Sequence, residues 1–301
     1  MNEPTRIAVM GAGAVGCYYG GLLARAGHDV VLIGRESHVD AIRRDGLWLE
    51  TTTFSERIAV SASTQAEAAR AAQIVLFCVK STDTPAAAVQ LAPHLAPSAI
   101  VLSLQNGIDN AERLRQHLPQ EVIATAVYVA AEMAGPGHMR HHGRGELVIG
   151  ETRHRQMLLA LFGEAGIPAR ISPKITEDLW AKLIVNCVYN ALSGITQLPY
   201  GQLVQTPGVP ETMRAILAEC LQVAAADGIS VPADIQHTVS SIAQTMPQQY
   251  SSTAQDLRHG RRTEIDCLNG YVVARAQVHD INVPVNRLLH MLVKLQENPA
   301  K

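Results

Sequence analysis

Residues 6–27, R-I-A-V-M-G-A-G-A-V-G-C-Y-Y-G-G-L-L-A-R-A-G, read as strand, glycine turn and helix without a break. Ile7 to Met10 is a short apolar run of the buried-strand type. Gly11, Gly13 and Gly16 then fall in the G-x-G-x-x-G spacing. The first glycine permits a tight turn, the second lets backbone approach a pyrophosphate, and the third lets helix pack on strand. With Ala12, Ala14 and Val15 between them, these residues form the predicted cofactor loop. Its phosphates would sit on the helix N-terminus, where unpaired N–H groups and the positive end of the macrodipole favour an anion. Gly20 and Gly21 continue the close packing, and Gly27 suits the helix C-terminus. His28-Asp29 leads into a second apolar strand, Val30 to Ile33. The bland alternative is a strand–helix turn that holds no ligand.

The residues just after the second strand bear on the cofactor. An NAD-specific unit carries Asp or Glu about 20 residues past the first glycines, to hold the ribose 2′-OH. Here that place holds Gly34-Arg35. Arg cannot accept from hydroxyls but makes bidentate, charge-assisted bonds to phosphate, so Arg35 favours the 2′-phosphate of NADP (NADPH). A solvated Arg35, with Glu36 on the ribose, is the alternative.

The 301 residues are 47% hydrophobic and carry 25 Lys and Arg against 27 Asp and Glu, which suits a globular protein with core enough for two domains. No basic excess points to nucleic acid or to an anionic membrane. M-N-E-P-T-R enters the first strand directly, so neither a signal peptide nor a transit sequence is expected. The longest apolar run, Val122 to Ala131, is too short to span a bilayer. Cys17, Cys78, Cys187, Cys220 and Cys267 form no C-x-x-C pair and read as buried free thiols of a cytoplasmic protein.

Further along, residues 36–45 look helical, and Leu47 to Glu50 with Arg57 to Val60 look like a short hairpin or crossover strands. An alanine-rich helix is expected from Gln65 to Ala71. Ile74 to Val79 is a continuous apolar strand of the parallel-sheet type, ending in Lys80. Ligands of doubly wound sheets bind at the carboxyl ends of strands, so Lys80 is placed for cofactor phosphate or ribose, or else is simply solvated. A helix near 85–95 leads to strand Ile100 to Leu104 and then Gln105-Asn106-Gly107. This puts an amide and a turn at the ligand edge, although turn chemistry alone also explains the glycine. After a helix at 109–117, Val122 to Ala130 and His138 to Ile149 read as two antiparallel strands. His138, His141 and His142 lack the spacing and acidic company of a metal site, so no metal is predicted. Helix 153–163 and strand 167–171 complete the alternation, and Ser172-Pro173 interrupts it.

Beyond Pro173 no strand signal recurs. Helices are expected at 175–193, 209–226, 233–245, 264–279 and 285–297. The fold class is therefore α/β, an N-terminal Rossmann-like dinucleotide-binding domain (1–173) with a second, all-helical domain (174–301) and a site in the cleft between them. Within the run Trp180 to Asn190, Lys182, Asn186 and Asn190 form one stripe at i, i+4, i+8 on a helix otherwise apolar nearly all round. A buried amide without a partner costs about 2–7 kcal/mol, so these groups need partners, and a substrate would be one. Lys182 reaching water and the two Asn bonding other helices is the alternative. Ser251 to Asp256 and Arg262 to Gly270 bring hydroxyls and carboxylates between helices; Thr263-Glu264 also fits a simple helix start.

G-A-G-A-V-G (11–16), V-K (79–80), Q-N-G (105–107), W-x-K-x-x-x-N-x-x-x-N (180–190), S-S-x-x-Q-D (251–256) and T-E-I-D-x-x-N-G (263–270), in this order, resemble the ketopantoate reductase (2-dehydropantoate 2-reductase) family over nearly the whole chain. The resemblance implies NADPH-dependent reduction of 2-dehydropantoate to pantoate on the route to coenzyme A. It implies Lys182 as proton donor, with Asn186, Asn190 and Ser252 binding substrate. Asn106 would lie at both cofactor and substrate, and Arg35, Lys80, Ala130 and Glu264 would contact NADP. Where the family often has Asn-Gly, with that Asn on substrate, this chain has Tyr200-Gly201, which leaves the exact 2-keto acid open but not the reaction class. The partner so implied is a small 2-keto acid, with no nucleic acid and no membrane; the oligomeric state, monomer or homodimer, is open. A reductase of another branched 2-keto acid and a non-catalytic NADPH-binding sensor are the rival readings.

Overall fold

The structure, a computed structural model, describes residues 4–297. The chain divides into two compact units. The first runs to Gln105 and resumes from Asp109 to Ile175; the second takes Asn106–Ile108 and the chain from Thr176 on. The excursion at 106–108 is absent from a division drawn at residue 173, because nothing in its three residues looks different from an ordinary turn.

The first unit contains β1 (Arg6–Met10), α1 (Ala14–Arg25), β2 (Asp29–Ile33), α2 (Glu36–Asp45), β3 (Leu47–Glu50), β4 (Ser55–Ile58), β5 (Ser61–Ser63), β6 (Ile74–Phe77), α3 (Thr84–Leu91), β7 (Ile100–Ser103), α4 (Asn110–Arg115), β8 (Glu121–Gly135), β9 (His138–Gly150), α5 (Arg155–Glu164) and β10 (Ala169–Ser172). The strand order is β4-β3-β9-β8-β7-β6-β1-β2-β5, with β10 beside β9. From β5 through β2, β1, β6 and β7 to the start of β8 every pairing is parallel. From Thr125 onward β8 pairs antiparallel with β9. In the parallel part alternate side chains enter two cores: Ile7, Val9, Leu76 and Leu102 one of them, Ala8, Met10, Val75 and Phe77 the other. Covering both faces is what makes these strands continuous apolar runs.

Two local expectations are corrected. β3 and β4 pair antiparallel as a hairpin, but of Arg57 to Val60 only Arg57 and Ile58 lie in β4, and Ser61–Ser63 forms a separate edge strand, β5, which pairs with β2. The alanine-rich stretch closes only one 3-10 turn, Ala66–Ala69, because Ala69 and Ala72 pack at once into the second core and the chain then turns into β6. The three histidines disperse. His138 pairs with Glu50 at 2.7 Å and stacks on Trp48, the His141 Nε2–H donates to the Arg144 carbonyl, and His142 pairs with Glu132. Among the described residues no group of His, Cys, Asp and Glu is arranged to hold a metal ion, and no helix is long and apolar enough to cross a membrane. All five cysteines are free thiols. Burial pushes Cys17 up to about 12, far from the range of a reactive thiolate.

The second unit is built from α6 (Ile175–Thr196), α7 (Tyr200–Leu203), α8 (Val209–Ala226), α9 (Ile235–Thr245), α10 (Ser252–Arg258), α11 (Asn269–Val278) and α12 (Pro284–Glu297), with no strand among its described residues. Its core joins Leu183, Ile184 and Val188 of α6 to Ile216 and Val223 of α8, Val239 of α9, Val272 of α11 and Val293 of α12. The short helices α7 and α10 are not legible as hydrophobic periodicity, since a helix of one or two turns shows too little of it. The helix expected over 264–279 is broken: Ile265–Cys267 forms a 3-10 turn, Leu268 leaves helical geometry at φ −111°, ψ −106°, and α11 begins at Asn269. The buried Glu219 carboxylate accepts from the backbone N–H groups of Val285 and Asn286, both at 2.9 Å, and so caps the start of α12.

Asp227, just past α8, holds α11 through Arg275 Nε at 2.9 Å and His279 Nε2 at 2.6 Å. The Arg275 hydrogen bonds keep its carboxyl below the usual carboxylate range, against burial, and the His279 hydrogen bond adds to them. A carboxyl so depressed stabilises the fold above its unfolded value of about 4 and loses that contribution as pH falls through the folded value. Asp227→Asn should cost about 1–3 kcal/mol near neutral pH. It should also flatten the fall in melting temperature between about pH 5 and pH 3. Equal acid slopes for wild type and variant in calorimetry would count against this linkage.

Candidate functional site

In the first unit the glycine loop is dictated by close backbone contacts. Gly11 has φ 113°, and a Cβ there would lie 2.6 Å from the Val79 nitrogen; one at Gly16 would lie 2.1 Å from the Gly11 oxygen. Gly13 is different, because a Cβ on it would meet nothing within 4 Å. It caps α1 with no side-chain hydrogen bond, and the first turn holds no acidic residue. The start of α1 therefore presents its backbone donors beside open space at Gly13, with no competing anion in its first turn. Gly11 and Ala12 both donate to the Ile33 carbonyl at 2.9 Å, which ties the loop to the end of β2. Ala14 and Val15 begin α1.

Arg35 comes after β2 as the N-cap of α2, exposed and without an ion pair among the described residues; Glu36 beside it is exposed as well. A guanidinium in that state can take a phosphate without first losing a partner. Lys80 lies just past β6, half-buried, at the N-cap of the Ser81–Asp83 turn. Ala130 is buried in β8 opposite Gly143, beside a shift of register.

The Q-N-G turn divides its two amides between the units. Gln105 is buried in the first, where its amide donates to the Val79 carbonyl at 3.0 Å and the Thr84 hydroxyl at 2.7 Å. Its oxygen accepts from Ser103, and Thr84 continues to Asn110 and then Ser81. Sequence reading misses this network. Its only signal is a set of small polar residues at the ends of β6 and β7, which looks the same as ordinary turn composition. Asn106 belongs to the second unit.

There the stripe on α6 meets its partners. Lys182 Nζ donates to Asn106 Oδ1 at 3.0 Å, and Asn106 Nδ2 donates to Glu264 Oε2 at 2.8 Å. An ammonium, an amide and a carboxylate are thus linked in one chain, and the charges at its two ends fix which way the amide faces. α6 is not buried all round: Lys182 and Asn186 are half-buried, and only Asn190, 4% exposed, lies inside. Asn190 Nδ2 donates to Ser252 Oγ at 3.4 Å. Neighbouring Ser251 is buried, donating to the Asn190 carbonyl and capping α10 by accepting from the Ala254 N–H. The Asn186 side chain makes no hydrogen bond among the described residues. Lys182, Asn106 and Glu264 therefore form one cluster, and Asn190 with Ser252 another. Tyr200 opens α7 with its ring 4.8 Å from that of Tyr189 and its N–H on the Gln249 carbonyl.

Residues 7–154 match the family model of ketopantoate reductase PanE/ApbA, and residues 174–297 that of its C-terminal part. The chain is 35% identical to the 2-dehydropantoate 2-reductase of Halobacterium salinarum over 97% of this chain and 99% of that protein. It is 32% identical to the enzyme of that name from Vibrio cholerae, over 97% of each. The crystal structure of a PanE/ApbA family ketopantoate reductase from Ralstonia eutropha JMP134 superposes with a TM-score of 0.95 at 58% identity, covering 98% of this chain and 99% of that one.

Proposed function

The chain belongs to the ketopantoate reductase family, and from that premise we propose that it reduces 2-dehydropantoate to pantoate with NADPH, Lys182 being the proton donor. The single observation that carries the role of Lys182 is its hydrogen bond to Asn106, itself held by Glu264. Gly11 to Gly16 would hold the pyrophosphate, Arg35 the 2′-phosphate, and Lys80 and Ala130 the neighbouring parts of the cofactor. The bound cofactor supplies the hydride that adds to C2 of the 2-keto acid. Lys182 Nζ gives a proton to the developing alkoxide oxygen, so the products are the 2-hydroxy acid and the oxidised cofactor. Asn186, whose amide has no partner among the described residues, and Asn190 with Ser252 bind the substrate and orient its carbonyl toward Nζ. A cytoplasmic location agrees with five free cysteines.

A second reading, turnover of another branched 2-keto acid, is favoured by one observation: an aromatic side chain, Tyr200, opens α7 against Tyr189. A non-catalytic NADPH sensor has no use for the Lys182–Asn106–Glu264 chain. NADPH oxidation followed spectroscopically against a panel of 2-keto acids tests all three. Greatest kcat/KM with 2-dehydropantoate is the expected outcome. Preference for a bulkier acid selects the second reading, and binding of NADPH without turnover of any acid selects the sensor.

A further inference from the structure

Glu264 sits in a short loop tied down on both sides by the last helix. On one side, Glu297 Oε1 accepts from the Thr263 N–H at 2.8 Å and also from the Thr263 hydroxyl, which in turn accepts from the Ile265 N–H at 3.2 Å. On the other, Asp266 is held by His290 at 2.8 Å and by Lys294 at 3.0 Å. Lys294 closes the circuit onto Glu297 at 2.6 Å. Thr263 and Ile265 are fully buried, and the Glu297 side chain is 4% exposed. Burial works against each charge, yet the hydrogen bonds within the group hold Asp266 and Glu297 below, and Lys294 above, their ordinary values.

A part-buried ion cluster is a weak source of stability, since desolvation and solvent screening offset much of the attraction. What distinguishes this one is its placement: its two anchor points on the loop, Thr263 and Asp266, lie on either side of Glu264, whose carboxylate accepts from the Asn106 amide. The neighbouring Ile265 is sunk in the helical core, which removes the loop's freedom to rotate as a unit. The backbone on both sides of Glu264 is therefore held from α12.

We propose that Thr263 and Glu297 are positioning residues, which hold the Glu264 carboxylate where it fixes the Asn106 amide and, through it, the Lys182 ammonium. The inference rests on the proposed roles of Lys182 and Glu264. Without the clamp the loop samples other conformations, Asn106 loses its orienting partner part of the time, and Nζ is misplaced relative to the alkoxide it protonates.

The test is a double-mutant cycle read in kcat for NADPH oxidation with 2-dehydropantoate, using Thr263→Val, Glu264→Gln and the double variant, with Thr263→Ser as the conservative rescue. Thr263→Val should lower kcat by about tenfold, and Thr263→Ser should restore most of it, because a hydroxyl again links Glu297 to the Ile265 N–H. In the Glu264→Gln background, Thr263→Val should cost less than about twofold more, because its effect passes through a carboxylate already removed. A further loss of about tenfold there, or unchanged kcat for Thr263→Val alone, overturns the clamp while leaving Glu264 in its role. Wild-type turnover by Glu264→Gln alone overturns the part given to Glu264, and the clamp with it, and is read from that single variant. Should Thr263→Val fail to fold, Glu297→Gln takes its place in the same cycle, with the same outcomes deciding.

Discussion

Lys182→Ala lowers kcat by about 10²–10⁴ while NADPH affinity changes little, the loss typical of removing a positioned general acid. The side chain is half-buried on α6, and its Nζ is 3.0 Å from Asn106 Oδ1. Its helix packs through other residues, Leu183, Ile184, Cys187 and Val188 among them, so truncation at 182 leaves the core of the unit intact. The melting temperature of the variant should therefore stay close to that of wild type. Lys182→Arg separates charge from proton delivery. It keeps the cation, but a guanidinium with a pKa above about 12 does not give up its proton, so its kcat should fall nearly as far as that of the Ala variant. Turnover by Lys182→Ala within about threefold of wild type, with chemistry limiting the rate, would exclude the general-acid role.

Arg35→Ala removes most of the preference for NADPH over NADH. Each charge-assisted bond from the guanidinium to a 2′-phosphate contributes about 1.5–3 kcal/mol, so the wild type should favour NADPH by about tenfold to a few hundredfold in kcat/KM. Arg35 is exposed at the N-cap of α2 and has no ion pair among the described residues to lose. Its truncation should leave the fold and the turnover at saturating cofactor nearly unchanged. The measurement is kcat/KM with each cofactor for both proteins. Equal use of NADH and NADPH by the wild type would pass the ribose to Glu36 and sink the role given to Arg35.

How much of the molecule is legible in its sequence depends on how far apart the interacting residues lie along it. The glycine turn is legible, because β1, its turn and α1 are one local unit, in which Gly16 packs against the carbonyl of Gly11 in the same turn. Helices 36–45 and 209–226 are legible to their ends, since Gly46 with φ 77° stops the one and Gly208 with φ 83° precedes the other. The continuous apolar strands announce a sheet covered on both faces. The amide stripe on α6 is legible as a stripe, because helical period alone sets which residues share a face. The partners of that stripe are not. Asn106 lies 76 residues from Lys182 and 158 from Glu264, and no pattern within a window of sequence links them. The division of Gln105 and Asn106 between two units, the break of the expected 264–279 helix at Leu268, and the tether from Thr263 to Glu297 are likewise tertiary. Each depends on hydrogen-bonding groups that come together only after the helices have packed. Sequence pattern reports which residues are buried together; which polar groups then satisfy one another is decided by the packing.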